Sequence, residues 1–178
     1  MSDLISIEPA TGATLWTGTS GDADAAVNSA REAWPGWAAT ALVKRIEAVR
    51  RYANRIRAGS DELAELISRE TGKPLWESRT EVESVINKVD ISVRAFADRT
   101  PQRQLPSQPN MRAALRHKPH GVLAVLGPYN FPAHLPNGHI VPALIAGNTI
   151  VFKPSEKTPA VGQYMMDAFA KAGMPAGV

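Results

Sequence analysis

Two short, unbroken apolar runs, Val122-Leu123-Ala124-Val125-Leu126 and Thr149-Ile150-Val151-Phe152, restrict the fold of this chain more than anything else in it. A strand with one wet face alternates apolar and polar residues. An unbroken apolar strand is instead the habit of parallel sheets covered by helices. Between the runs, Asn137 to Ala146 reads as a helix ended by Gly147-Asn148. After the second run, Thr158 is expected to cap another helix, with Pro159 at its first position and Gly173 behind it. Strand, helix, strand, helix predicts a right-handed parallel βαβα unit. Ala176-Gly177-Val178 resembles the approach to a third strand.

The residues before this unit follow a different pattern. Leu4-Ile7 and Ala13-Trp16 read as short strands around the turn Pro9-Ala10-Thr11-Gly12. Asp22 or Asp24 can cap a first helix that Pro35-Gly36 ends or bends. Leu42, Ile46, Val49, Ala53 and Ile56 then recur at spacings of four and three, giving a second helix closed by Gly59. Ser60 is expected to cap a third, with Asp61 and Glu62 in its first turn and a stop at Thr71-Gly72-Lys73-Pro74. A fourth runs from Ser78 to Phe96, where helical period outranks the β-branched residues. Thr100 to Asn110, with Pro101, Pro106 and Pro109, reads as a linker. Met111-Ala113-Leu115 is then expected to reverse through Pro119-His120-Gly121 into the first apolar run.

Several function classes fall away on composition. At 44% hydrophobic and 21% charged residues the chain is not of the disordered kind, and a net charge of +3 is too balanced to imply nucleic acid. The basic stripe Lys44, Arg45, Arg50, Arg51, Arg55 and Arg57 is read as a solvated helix face. No apolar run reaches membrane-spanning length and MSDLISIEPATG lacks the pattern of a signal peptide, so the expected setting is cytoplasmic, with no membrane partner. The absence of cysteine excludes disulfides, thiolate metal sites and a cysteine nucleophile within these residues. His117, His120, His134 and His139 lack metal-ligand spacing, so no metal is expected. Neither GxGxxG nor GxxxxGK[ST] occurs.

In parallel α/β units ligands collect outside the carboxyl ends of the strands. Both conspicuous motifs fall there: Gly127-Pro128-Tyr129-Asn130-Phe131-Pro132 after the first run, and Lys153-Pro154-Ser155-Glu156 after the second. Each alone has a bland reading, as a turn cap, a solvated strand end or an acidic helix start. Two adjacent strands ending this way point to a ligand site.

The stretch GPYNFPAHLPNGHIVPALIAGNTIVFKPSEKTP resembles the aldehyde dehydrogenase superfamily, and ETGKPLWESRTEV together with HLPNGHIVPAL resembles its members that act on a succinylated glutamate semialdehyde. That resemblance implies an α/β fold, in which a helical N-terminal layer is joined to the first half of a parallel Rossmann-like NAD-binding domain. Residues 1–100 would form the N-terminal hairpin and helical layer, 101–120 the linker and oligomerisation hairpin, and 121–178 the first part of the NAD-binding domain. In the family, the asparagine matching Asn130 donates its amide to the aldehyde oxygen under attack by a cysteine thiolate. Lys153 and Glu156 match residues that hydrogen-bond the adenosine ribose of NAD. Pro128 and Tyr129 would lie along the cofactor cleft, Tyr129 standing where many relatives have tryptophan. The thiol and the water-activating glutamate are expected beyond Val178, so the chain reads as an N-terminal fragment, inactive alone. The implied reaction is NAD-dependent oxidation of a small-molecule aldehyde, N-succinylglutamate 5-semialdehyde of arginine catabolism, by a homo-oligomer. The rival reading is a module that binds nucleotide or subunits without turnover.

Overall fold

The computed structural model describes residues 3–178. Strands β1 (Asp3–Ile7) and β2 (Thr14–Thr19) pair antiparallel, with a register shift between Ser6 and Ile7. Their turn is closed by Glu8 N–H donating to the Ala13 carbonyl at 2.9 Å and Gly12 N–H to the Glu8 carbonyl at 2.9 Å.

Helix α1 spans Ala23–Ala39, and Asp22 caps it, accepting from the N–H groups of Asp24 and Ala25 at 2.9 and 3.1 Å. It runs through Pro35 rather than ending there. The reason lies far away in sequence: Trp37 is buried and its indole N–H donates to the Leu144 carbonyl at 3.1 Å, anchoring the last turn. Arg45 adds donors to the carbonyls of Ala38, Thr40 and Ile145. Helix α2 (Leu42–Ala58) buries Val49, Tyr52, Ala53 and Ile56, and Tyr52 stacks on Phe169 with ring centroids 3.6 Å apart. Ser60 is the first residue of α3 (Ser60–Thr71) and not its cap; Gly59 holds that place without a side-chain hydrogen bond. Gly72, at φ +77°, turns the chain out of α3 in the left-handed region. Helix α4 (Leu75–Arg99) outruns its expected span at both ends, starting directly after Pro74 and ending where Thr100 donates to the Phe96 carbonyl from both N–H and hydroxyl.

The linker contains a short strand, β3 (Arg103–Leu105), antiparallel to β4 (Ala113–Leu115). The expected reversal of β4 into the next strand does not form. The N–H groups of His120 and Gly121 are taken by the Asn148 side-chain oxygen at 2.7 and 3.1 Å, which delivers the chain into β5 (Val122–Leu126) beside β6 (Thr149–Lys153). β5 and β6 are parallel, in register from Val122–Thr149 to Leu126–Lys153. Helix α5 (His134–Ile145) connects them and α6 (Pro159–Lys171) follows, giving the βαβα order. On the far edge of β6 the Ile150 N–H donates to the Val178 carbonyl at 3.0 Å. One apolar core joins α2, α3 and α4 to α5, α6 and Val125 of β5. Leu123, Ala124 and Leu126 remain exposed, so the unbroken apolar run is covered only in part.

Candidate functional site

At the carboxyl end of the parallel pair, the Gly127 N–H donates to the Lys153 carbonyl at 2.9 Å, extending the ladder by one rung. The two motifs therefore leave the sheet side by side, as their positions in the sequence imply. Close approach is possible on the β6 side because position 162 is glycine. A Cβ there would lie 2.6 Å from the Pro154 Cβ, so the first turn of α6 packs directly on the strand exit.

Asn130 is exposed, and among the described residues its side-chain amide makes no hydrogen bond. Its backbone carbonyl is held. The Lys73 ammonium, arriving from the turn between α3 and α4, donates to it at 2.8 Å, lies 2.7 Å from Glu81 Oε2, and sits 4.2 Å from the centroid of the Phe131 ring. The other oxygen of Glu81 accepts from the N–H groups of Ala133 and His134 at 2.9 and 3.0 Å. Helix α5 has no side-chain cap of its own, so Glu81 of α4 satisfies its orphan donors and its positive dipole end. This also explains why α5 starts at His134, ahead of the expected Asn137. The Glu81 side chain is 0% exposed and that of Lys73 10%, so the pair is buried and hydrogen-bonded throughout. Removing one partner from such a pair typically costs about 3–5 kcal/mol.

Lys153 and Glu156 form an ion pair at 3.2 Å with both side chains largely in solvent. The Glu156 carboxyl is held below the ordinary glutamate range, first by a hydrogen bond from its own backbone N–H and then by Lys153. It is therefore an anion at neutral pH. Tyr129 is 56% exposed, with the Lys157 ammonium 5.1 Å from its ring centroid; Pro128 is half-buried. Tyr129 and Glu156, together with Ile5, Ile7, Lys157 and Thr158, line a depression of about 360 Å³. Asn130, Lys153 and Pro128 are not among its lining residues.

Three residues of this edge carry no local signal in the sequence: Lys73, Glu81 and Glu70. Glu70, on α3, is buried, and its two oxygens accept from the N–H groups of Ala160 and Val161, each at 2.9 Å. It does for α6 what Thr158 was expected to do, since Thr158 makes no side-chain capping bond. Burial pushes the Glu70 carboxyl above its ordinary value, against the opposing pull of those hydrogen bonds. Elsewhere the basic stripe is largely engaged within the chain: Lys44 with Glu47, Arg50 with Asp90, Arg51 with the Ala172 carbonyl and Arg57 with Asn54. No group of three or more His, Cys, Asp or Glu among the described residues could hold a metal ion, and no helix there is long and apolar enough to cross a membrane.

A parallel βαβα unit under a helical layer, with an exposed amide and an ion pair at its carboxyl edge, places the chain among α/β folds whose ligands gather at the ends of parallel strands. The chain belongs to the aldehyde dehydrogenase family, whose model matches residues 2–178. It is 67% identical over 177 residues to the N-succinylglutamate 5-semialdehyde dehydrogenase of Novosphingobium aromaticivorans, covering 99% of this chain and 38% of the relative. The protein of the same name from Sphingopyxis alaskensis is 64% identical over 173 residues, covering 97% and 36%. Among solved structures, an aldehyde dehydrogenase from Brucella melitensis biovar abortus 2308 superposes with a TM-score of 0.94 at 31% identity, covering 99% of this chain and 37% of that one. PnpE from Pseudomonas sp. WBC-3, in complex with nicotinamide adenine dinucleotide, gives 0.92 at 32% identity with the same coverage. The chain thus spans little more than a third of the length of these relatives.

Proposed function

We propose that this chain supplies the oxygen-binding amide and part of the cofactor site of an enzyme that oxidises N-succinyl-L-glutamate 5-semialdehyde to N-succinyl-L-glutamate with NAD. The observation that carries the chemistry is the Asn130 amide, held out at the strand end with no hydrogen-bond partner among the described residues. An amide there donates to the aldehyde oxygen as it takes up negative charge, and being neutral it exchanges no proton. The identity of the aldehyde rests on the names of the relatives. These 178 residues contain no cysteine, so the attacking thiol must come from outside them, and on its own the chain turns over no aldehyde.

Lys153 and Glu156 fit a ribose: an ammonium donor and an anionic acceptor stand together at the carboxyl edge, open to solvent. A nicotinamide held there would supply the hydride acceptor for the oxidation. A carboxylate accepts from a ribose 2'-hydroxyl but repels a 2'-phosphate, which favours NAD over NADP, against two superposing structures that are of NADP-dependent enzymes. Pro128 and Tyr129 wall the cofactor cleft beside them. A cytoplasmic homo-oligomer acting on a small aldehyde, with no nucleic acid or membrane partner, completes the proposal.

The test is a graft in which residues 1–178 replace the matching segment of the Novosphingobium aromaticivorans relative. NADH formation is followed with the succinylated semialdehyde, with an aromatic aldehyde and with NADP in place of NAD. Preference for the succinylated substrate and for NAD supports the proposal. A stable graft that prefers the aromatic aldehyde, or that forms no NADH while the relative does, overturns it.

A further inference from the structure

We propose that Lys73 is a positioning residue for Asn130: its ammonium, fixed by buried Glu81, sets the backbone of the residue whose amide meets the substrate oxygen. The inference rests on the reading of Asn130 as the oxygen-binding donor. Among the described residues Lys73 is the only hydrogen-bond partner of any Asn130 atom, through the carbonyl at 2.8 Å. Beyond that bond, the turn between Gly127 and α5 is held by Glu81, which grips the N–H groups of Ala133 and His134 with one oxygen and Lys73 with the other. The Phe131 ring under the ammonium closes a three-point seat for the lysine, formed by a carboxylate, a carbonyl and an aromatic face.

Such a seat restrains a flexible side chain. Lysine loses much rotamer freedom when ordered, and three directed contacts with 10% exposure hold it in one arrangement. Among the described residues Asn130 makes no other hydrogen bond, so this bond restrains the peptide plane between Asn130 and Phe131. A donor that must meet a developing charge loses rate steeply when it drifts, on the order of a hundredfold for a misplacement of 1 Å. Glu81 acts one step further back, by holding Lys73 and the start of α5.

The test is a double-mutant cycle in the grafted enzyme, reading the single-turnover rate of NADH formation alongside the NAD dissociation constant. Lys73→Met should lower that rate by roughly tenfold to a hundredfold and leave NAD affinity within about twofold. In an Asn130→Ala background the same substitution should lower it little further, because no amide remains to be placed. An equal fall in both backgrounds, or none in either, overturns the positioning role while leaving Asn130 as donor intact. An Asn130→Ala variant with undiminished rate sinks the donor reading itself, and the positioning role with it. If Lys73→Met does not fold, Lys73→Met combined with Glu81→Gln removes the buried charge pair together, and the cycle is run with that variant. Full rate in the combined variant overturns the inference.

Discussion

Replacing Asn130 by Ala in the grafted enzyme separates chemistry from folding unusually well, because of what the side chain does not touch. Its amide is exposed and unbonded among the described residues, while the group that ties the residue down is its backbone carbonyl, which alanine keeps. Substitutions at such exposed positions usually change stability by no more than about 0.5 kcal/mol. For a protein of this size or larger that is about 2 °C or less in melting temperature. The loss of one preorganised donor to a developing oxyanion is far larger, about a hundredfold to a thousandfold in rate, or roughly 2.7–4 kcal/mol. Asn130→Asp should lose at least as much, since a carboxylate of the same shape brings negative charge to the place where negative charge develops. The assay is rapid mixing of enzyme and NAD with a single equivalent of aldehyde, following NADH, with thermal melts and NAD titration beside it. A rate within about threefold of the parent would leave Asn130 a turn residue. A melt lowered by many degrees would refute the claim that its side chain is structurally idle.

Glu156→Gln should narrow the preference for NAD over NADP, read as the ratio of kcat/KM for the two cofactors, since the amide no longer repels a 2'-phosphate; an unchanged ratio removes Glu156 from cofactor choice. The Glu70 carboxyl, raised by burial, binds its proton more tightly in the folded protein than in the unfolded chain. The stability it adds is full below the ordinary glutamate value and is lost as pH rises through the raised one. Melting temperature should therefore decline across that window in the parent and less so in Glu70→Gln, and parallel pH profiles would contradict this. The 178-residue polypeptide by itself should form no NADH from any aldehyde, because it has no cysteine to carry the attack. Sustained turnover by it would overturn the thiol requirement.

What could be read in the sequence is what short-range rules govern. The two apolar runs became the parallel pair, Asp22 became a cap, Gly59 and Gly72 ended their helices, and the two motifs emerged side by side because they follow paired strands. The misreadings share a different cause. Ser60 and Thr158 have the composition of caps, yet neither bonds as one, and a glutamate on another helix serves α6 in place of Thr158. Lys73 read as part of a helix stop, and its contact with Asn130 spans 57 residues of chain. At the site, the positions of Asn130, Lys153 and Glu156 were legible, but what holds Asn130 was not. A backbone carbonyl has no residue identity for a sequence pattern to display.

The two carboxylates that sequence patterns missed do the same job on neighbouring helices. Glu81 of α4 meets the first N–H groups of α5, and Glu70 of α3 meets those of α6, both from within the protein. Each replaces a cap that the helix itself does not provide. The N-termini of α5 and α6 face the carboxyl edge of β5 and β6, where a parallel unit gathers its ligands. Had those termini been left open, their dipoles and orphan donors would be free to take an anion, as phosphate-binding loops do. Here both are already occupied by buried carboxylates from the helical layer, and the GxGxxG and GxxxxGK[ST] loops that present such termini to phosphate are absent. What this edge leaves available is the side chains beside the termini: a neutral amide at Asn130 and the ion pair of Lys153 and Glu156. The helical layer thus does more than cover the sheet, because its carboxylates occupy the two helix ends that would otherwise be open to an anion.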